Sequence, residues 1–213
     1  FMESIVNATT PHHTVGRPDA GGHSHAHDGH GATAAATQLF PPLIPERPLY
    51  PCTELDDRYL TACYQMQTSA ILFHNGSNLA ATAEACDDAP ERYRGDCYLS
   101  LGRDISALTL QNHAEAATAC ASGDPEYQVW CHIGYVKNLV DLSADPADAL
   151  TYCQEVAGAA LKRACYHAVG EEIWVLSDDL SRNESWCQLA EDRHRDDCRR
   201  GAGLVSWREV SSP

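Results

Sequence analysis

The first regularity in the chain is a stripe of apolar and small positions that returns five times. Aligned on a cysteine, the segments read "CYQMQTSAI", "CYLSLGRDI", "CHIGYVKNL", "CYHAVGEEI" and a divergent "CRRGAGLVS", starting at Cys63, Cys97, Cys131, Cys165 and Cys198. Apolar or small residues recur at the cysteine and three, four and eight positions beyond it, the last being Ile71, Ile105, Leu139 and Ile173. That spacing marks one buried face of an α-helix. A shorter helical pattern rich in alanine precedes an earlier cysteine in each unit, as in "NLAATAEAC", "HAEAATAC" and "PADALTYC". Turn-forming "DDAP" and "SGDP" follow it. The pattern predicts a short helix, a turn and a longer helix, repeated.

The cysteines set the period. They fall as Cys52 and Cys63, Cys86 and Cys97, Cys120 and Cys131, Cys153 and Cys165, Cys187 and Cys198, with spacings of 11, 11, 11, 12 and 11 residues. First members recur every 34, 34, 33 and 34 residues, the period of a helical-hairpin solenoid. Zinc sites favour C-x2-4-C spacings, which are absent, so the even number of regularly paired cysteines predicts five disulfides, each across a hairpin. Each closes a loop worth about 3 kcal/mol in the chain-entropy model. Disulfides imply an oxidising location: periplasm, cell surface or extracellular medium.

The stretches "ALTYCQEVAGAALKRACYHAVG" and "AATACASGDPEYQVWCHIG" resemble the cysteine-rich Sel-like repeats of secreted bacterial proteins, relatives of the tetratricopeptide repeat. The likeness lies in an alanine-rich first helix ending in cysteine, then a second cysteine followed by Tyr166 or His132 and a small residue such as Gly134. It spans residues 50 to 205. Two departures stand against it: cysteine pairs in that family sit closer together, and its glycine-rich turn after the second helix is missing here. The resemblance implies an all-α superhelix and export.

Before Cys52 the repeat is interrupted. "FMESIV" fits the second-helix register if Ile5 takes the place of Ile71, so residues 1–10 read as the remnant of a preceding repeat whose cysteine lies upstream. From there to Cys52 the chain runs about 32 residues longer than between other repeats. We therefore divide it into that remnant, a His-, Gly- and Pro-rich insertion at 11–50, the repeat domain at 51–207 and a tail at 208–213. "FPPLIPERPLYP" is expected to be extended, because proline forbids helix, and to pack along the repeats through Phe40, Leu43 and Ile44. "CRRGAGLVSW" is expected to be a terminal unit capped by Trp207.

The insertion holds "GGHSHAHDGHG". In extended chain His23, His25 and His27 project to one side, and His30 follows a glycine that lets the chain curl back. With His12 and His13 nearby, and Asp28 as an oxygen donor, these imidazoles suit a copper or zinc ion; no organic cofactor is indicated. The alternative is a polar loop with incidental histidines. A third reading is pH response, since protonating all 11 histidines moves the formal charge from −15 to −4 and would alter self-association or docking. Sequons stand at Asn7, Asn75 and Asn183.

Charge narrows the partners. A formal −15 disfavours nucleic acid and anionic membranes, and no apolar run reaches the length of a membrane-spanning helix. A protein or peptide partner, or a second copy of the chain, is the expected one. The candidate surface is a row six and seven residues after the second cysteines: Arg103 and Asp104, Lys137 and Asn138, Glu171 and Glu172, with His132 and the tyrosines Tyr64, Tyr98 and Tyr166 beside them. The alternative is a solvated face with charge pairs between neighbours, the tyrosines serving as core. An enzyme built from Glu171, Glu172, His132 and Arg103 has the residue types of an acid, a base and an anion holder. It lacks any defining motif such as a nucleophile elbow or HExxH.

Overall fold

Nine α-helices, two short 3-10 turns and no strand make up the described part of the chain, residues 43–205 of a computed structural model. Long helices are α1 (Asp57–Asn75), α3 (Glu91–Leu108), α5 (Gln128–Ser143) and α7 (Ala159–Leu176). Short ones are α2 (Leu79–Asp87), α4 (His113–Ala119), α6 (Ala147–Glu155), α8 (Leu180–Cys187) and α9 (Arg195–Gly201). Short polar side chains start several of them: Asn78, Asn112 and Asp179 each accept from backbone N–H groups of the first turn. Gly76, at φ 71°, ends α1 in the left-handed conformation that a side chain would strain.

All five expected disulfides are present, with Cα–Cα distances of 5.5 to 5.7 Å. Each ties a short arm to the helix that follows it, and the cysteines are buried. Around them the stripe read from the sequence forms the core: Leu101, Ile105, Leu139, Val140, Val169 and Ile173 are fully buried or nearly so. The long helices pack in chain order, α1 on α3, α3 on α5 and α5 on α7, and the short α9 packs on α7 in the same way.

What sets their spacing is a pair of positions, five residues after the second cysteine on one helix and three after it on the next. Between α3 and α5 these are Gly102 and Gly134; a Cβ on Gly102 would lie 1.9 Å from the Cys131 carbonyl oxygen. Between α7 and α9 they are Gly170 and Gly201, equally close. Between α1 and α3 they are Thr68 and Ser100, whose hydroxyls hydrogen-bond at 2.6 Å. Between α5 and α7 the same positions hold Val136 and Ala168, and this interface is the least extensive of the four.

Two ends differ from the repeated pattern. The first short arm is a 3-10 turn, Cys52–Glu54, because Pro45, Pro48 and Pro51 leave no uninterrupted run for a helix. Residues 43–50 lie over α1 instead: Leu43, Ile44 and Pro45 share a pocket with Ala70, Ile71 and His74, and Gln67 Nε2 donates to the carbonyls of Pro48 and Tyr50. Leu43 and Ile44 thus lie beside α1 as expected, but the segment is not extended: the Arg47 N–H donates to the Ile44 carbonyl and the Tyr50 N–H to the Arg47 carbonyl, so it folds into successive turns. Phe40 lies outside the described residues. At the other end α9 is seven residues long, and Trp207 lies outside the described residues.

Candidate functional site

Every member of the polar row except Asn138 is engaged by a neighbouring helix. The Arg103 guanidinium donates to the Gln65 carbonyl on α1. Asp104 accepts from Thr68 at 2.6 Å and from Ser69 at 2.9 Å, also on α1. Burial holds the Asp104 carboxyl above the usual carboxylate range, with those hydroxyls and Arg103 pulling the other way. Lys137 on α5 binds Glu172 on α7 at 2.6 Å, and Glu172 is 8% exposed. Glu171 is exposed and stands 3.9 Å from Lys137 and 3.6 Å from His167. Asn138 is half-buried beside them. These contacts bridge successive long helices, and a half-buried, hydrogen-bonded pair such as Lys137–Glu172 helps to set their register.

His132 belongs elsewhere. It is buried on the side of the short helices, where Nδ1 meets the Tyr152 hydroxyl at 2.5 Å. Tyr152 in turn packs on Tyr135, with ring centroids 4.1 Å apart, and His113 meets both rings edge-on. The structure therefore does not join Arg103, His132, Glu171 and Glu172 in one hydrogen-bonded constellation. Burial lowers the His132 pKa from its ordinary 6.5 to about 4, so the ring is neutral at physiological pH.

That shift has a measurable consequence. Between about pH 6.5 and pH 4 the unfolded chain binds a proton at His132 that the folded chain refuses, so stability falls as pH drops through this window. The full loss is about 3 kcal/mol. Replacing His132→Phe leaves the Tyr152 hydroxyl without its partner, a penalty of about 1–3 kcal/mol at pH 7. In urea unfolding with disulfides intact, the advantage of wild type over this variant should shrink by about 3 kcal/mol from pH 7 to pH 4. Parallel curves would show that His132 does not titrate as its burial demands.

Beside His132 opens a cleft of about 480 Å³, bounded by α4 through Ala114, Ala117 and Thr118, by Gln128 of α5, and by Glu155, Ala157 and Leu161 around the turn from α6 to α7. The sequence reading missed Gln128, Ala157, Leu161 and Tyr152. One signal was available: this is the unit whose cysteines are 12 rather than 11 residues apart.

The histidines expected to bind metal, His12, His13, His23, His25, His27 and His30, lie outside the described residues. Among the described residues no group of three or more His, Cys, Asp or Glu side chains is placed to hold an ion. The Asn183 sequon is buried, its amide donating to the Ser177 carbonyl, and is closed to glycosylation on the folded chain. No described helix is long and apolar enough to cross a membrane. Comparison with protein-family models, curated proteins and solved structures gives no match. Five disulfides remain the firmest statement about setting: the chain matures in an oxidising compartment.

Proposed function

We propose that this chain is an exported α/α solenoid of helical hairpins about 34 residues long, related to the Sel-like repeats, that works as a binding or assembly module in the periplasm, on the cell surface or outside the cell. Its partner is a protein or peptide, including a second copy of itself. The observation that carries this reading is an apolar rim: Phe73, Leu108, Leu142 and Val175, at the C-terminal ends of the four long helices, are 50%, 44%, 65% and 75% exposed. Successive large apolar side chains left in water along one edge mark an interaction surface. The buried disulfides support the solenoid, because they fix each hairpin and leave its edge free to be used.

The insertion adds a transition-metal site, copper or zinc, on His23, His25 and His27 with His12, His13 and His30. Imidazole spacing and the shortage of apolar residues around it favour a solvent-accessible site rather than a closed structural one.

Both parts are testable on the full chain. After loading with Zn²⁺ or Cu²⁺ and gel filtration, elemental analysis should find stoichiometric metal, lost when His23, His25 and His27 are replaced by Ala; unchanged metal content rejects the site. Sedimentation should show self-association that weakens in Leu142→Asp with Val175→Asp. A monomer at all concentrations, with no change in partner binding by that double variant, rejects the rim.

A further inference from the structure

The four interfaces along the series α1, α3, α5, α7 and α9 use one set of positions on the side of the short helices, and the third departs from the rest. Directly after the second cysteine come Tyr64, Tyr98, His132 and Tyr166; four residues before the next second cysteine come Tyr93, Tyr127, Leu161 and His194. In three interfaces the two form a ring pair. Centroids are 5.3 Å apart for Tyr64 and Tyr93, 6.1 Å for Tyr98 and Tyr127, and 5.2 Å for Tyr166 and His194.

Acids and bases close two of these pairs. The Tyr98 hydroxyl donates to Asp87 at 2.6 Å and accepts from the Asp124 backbone N–H at 2.7 Å, and Arg94 stands 5.7 Å from the Tyr127 ring centre. The Tyr166 hydroxyl donates to Glu191, which Lys162 also binds at 2.8 Å. In the third interface every corresponding residue is smaller or uncharged. Gln128 stands for the base, His132 for the tyrosine, Leu161 for the second ring, Ala121 for Asp87 and Ala157 for Glu191. The space they leave is part of the cleft of about 480 Å³ that Ala114, Ala117 and Thr118 also line, within the range of ligand sites.

His132 gives that cleft a polarity. The buried Tyr152 hydroxyl has no acceptor for its proton among the described residues other than His132 Nδ1, so we assign the donation to Tyr152 and the imidazole proton to Nε2. The ring edge left for the cleft is therefore an N–H donor on a neutral group. Glu155, exposed at the cleft wall, adds a negative charge to a chain already at −15.

We propose that this cleft receives the side chain of a tyrosine flanked by lysine or arginine on an exposed segment of a partner protein. The phenol ring takes the place that Tyr127 and His194 fill in the neighbouring interfaces, and its oxygen accepts from His132 Nε2–H. Glu155 pairs with the basic neighbour, supplying from the partner what Arg94 and Lys162 supply internally. The proposal rests on the module reading and assigns that module its recognition site.

The test is NMR titration of the full, oxidised chain with the blocked tripeptides Lys-Tyr-Lys and Lys-Ala-Lys at low millimolar concentration. Saturable shifts are expected at His132, Ala117, Ala157 and Leu161 with the tyrosine peptide alone. Leu161→Tyr restores the ring that three neighbouring interfaces already accommodate, and should weaken binding about tenfold with the amide spectrum otherwise preserved. Glu155→Gln should reduce the affinity about threefold and flatten its salt dependence. Equal shifts with the alanine peptide, or unchanged binding by Leu161→Tyr, overturn the proposal. Shifts confined to Leu142 and Val175 overturn the cleft while leaving the module reading standing.

Discussion

Complete reduction of the five disulfides is expected to unfold the helical domain at room temperature without added denaturant. Each bond closes a loop of 11 or 12 residues, and removing that constraint releases about 3 kcal/mol of chain entropy in the denatured state. Five such losses are on the order of 15 kcal/mol, against a total stability of roughly 5–15 kcal/mol for a domain of this kind. The fold has little to replace them with, since several short arms span only seven to nine residues, below the length at which an isolated helix is stable in water.

Reduction should also be slow to begin and ordered. Most of the cysteines are 0% to 1% exposed, so a thiol reagent must wait for local opening. Cys63, at 5%, is the exception, and its partner Cys52 sits on a 3-10 turn at the edge of the domain. Timed alkylation and mass spectrometry should find Cys52–Cys63 reduced first, and circular dichroism should lose its helical signal once the central pairs follow. A fully reduced chain that keeps its helicity would show that the packed helices, not the cross-links, hold the fold.

The sequence revealed most where a rule is local. Disulfide pairing was legible because geometry allows only neighbouring cysteines at a fixed spacing to meet, and the long helices were legible because Ile105, Leu139 and Ile173 recur on one face. The missing first short helix was half legible: three prolines spoke against a helix, but the segment folds into turns rather than running extended, and nothing announced that Gln67 would bind its carbonyls. Arg103 and Lys137 stand six residues after their cysteines and Glu172 seven after its own, yet a sequence does not say whether such a row faces a ligand or the next helix. Here the desolvated partners lie about 35 residues away, Lys137 with Glu172 and Ser69 with Asp104. The cleft was hidden for a further reason. It exists because Leu161, Ala157 and Gln128 fail to fill a space, and missing volume appears only when equivalent interfaces are compared in three dimensions.

The glycine contacts explain why that space lies where it does, and they give the second large effect. Gly102 and Gly134 bring α3 and α5 close enough that a Cβ on Gly134 would sit 2.0 Å from the Leu99 carbonyl oxygen, which is backbone and has no rotamer to adopt. Gly170 and Gly201 do the same for α7 and α9. The helices are thus clamped in two pairs, and the looser α5–α7 interface between the pairs keeps the cleft. Gly134→Val should force α3 and α5 apart, separate the Tyr98–Tyr127 stack and cost about 3–5 kcal/mol, overpacking at the upper end of its range with a β-branched side chain. The midpoint of thermal unfolding should fall by roughly 10 °C. Gly134→Ala gains about 1 kcal/mol of helix propensity but still collides, so it should be destabilising by a smaller margin. Ala168→Val, at the equivalent position of the α5–α7 interface, should be milder than Gly134→Val, because no backbone oxygen has been drawn in by a glycine there. If Gly134→Val and Ala168→Val proved equally harmful, the clamping of helices in pairs would be wrong, and with it the reason the third interface stays open.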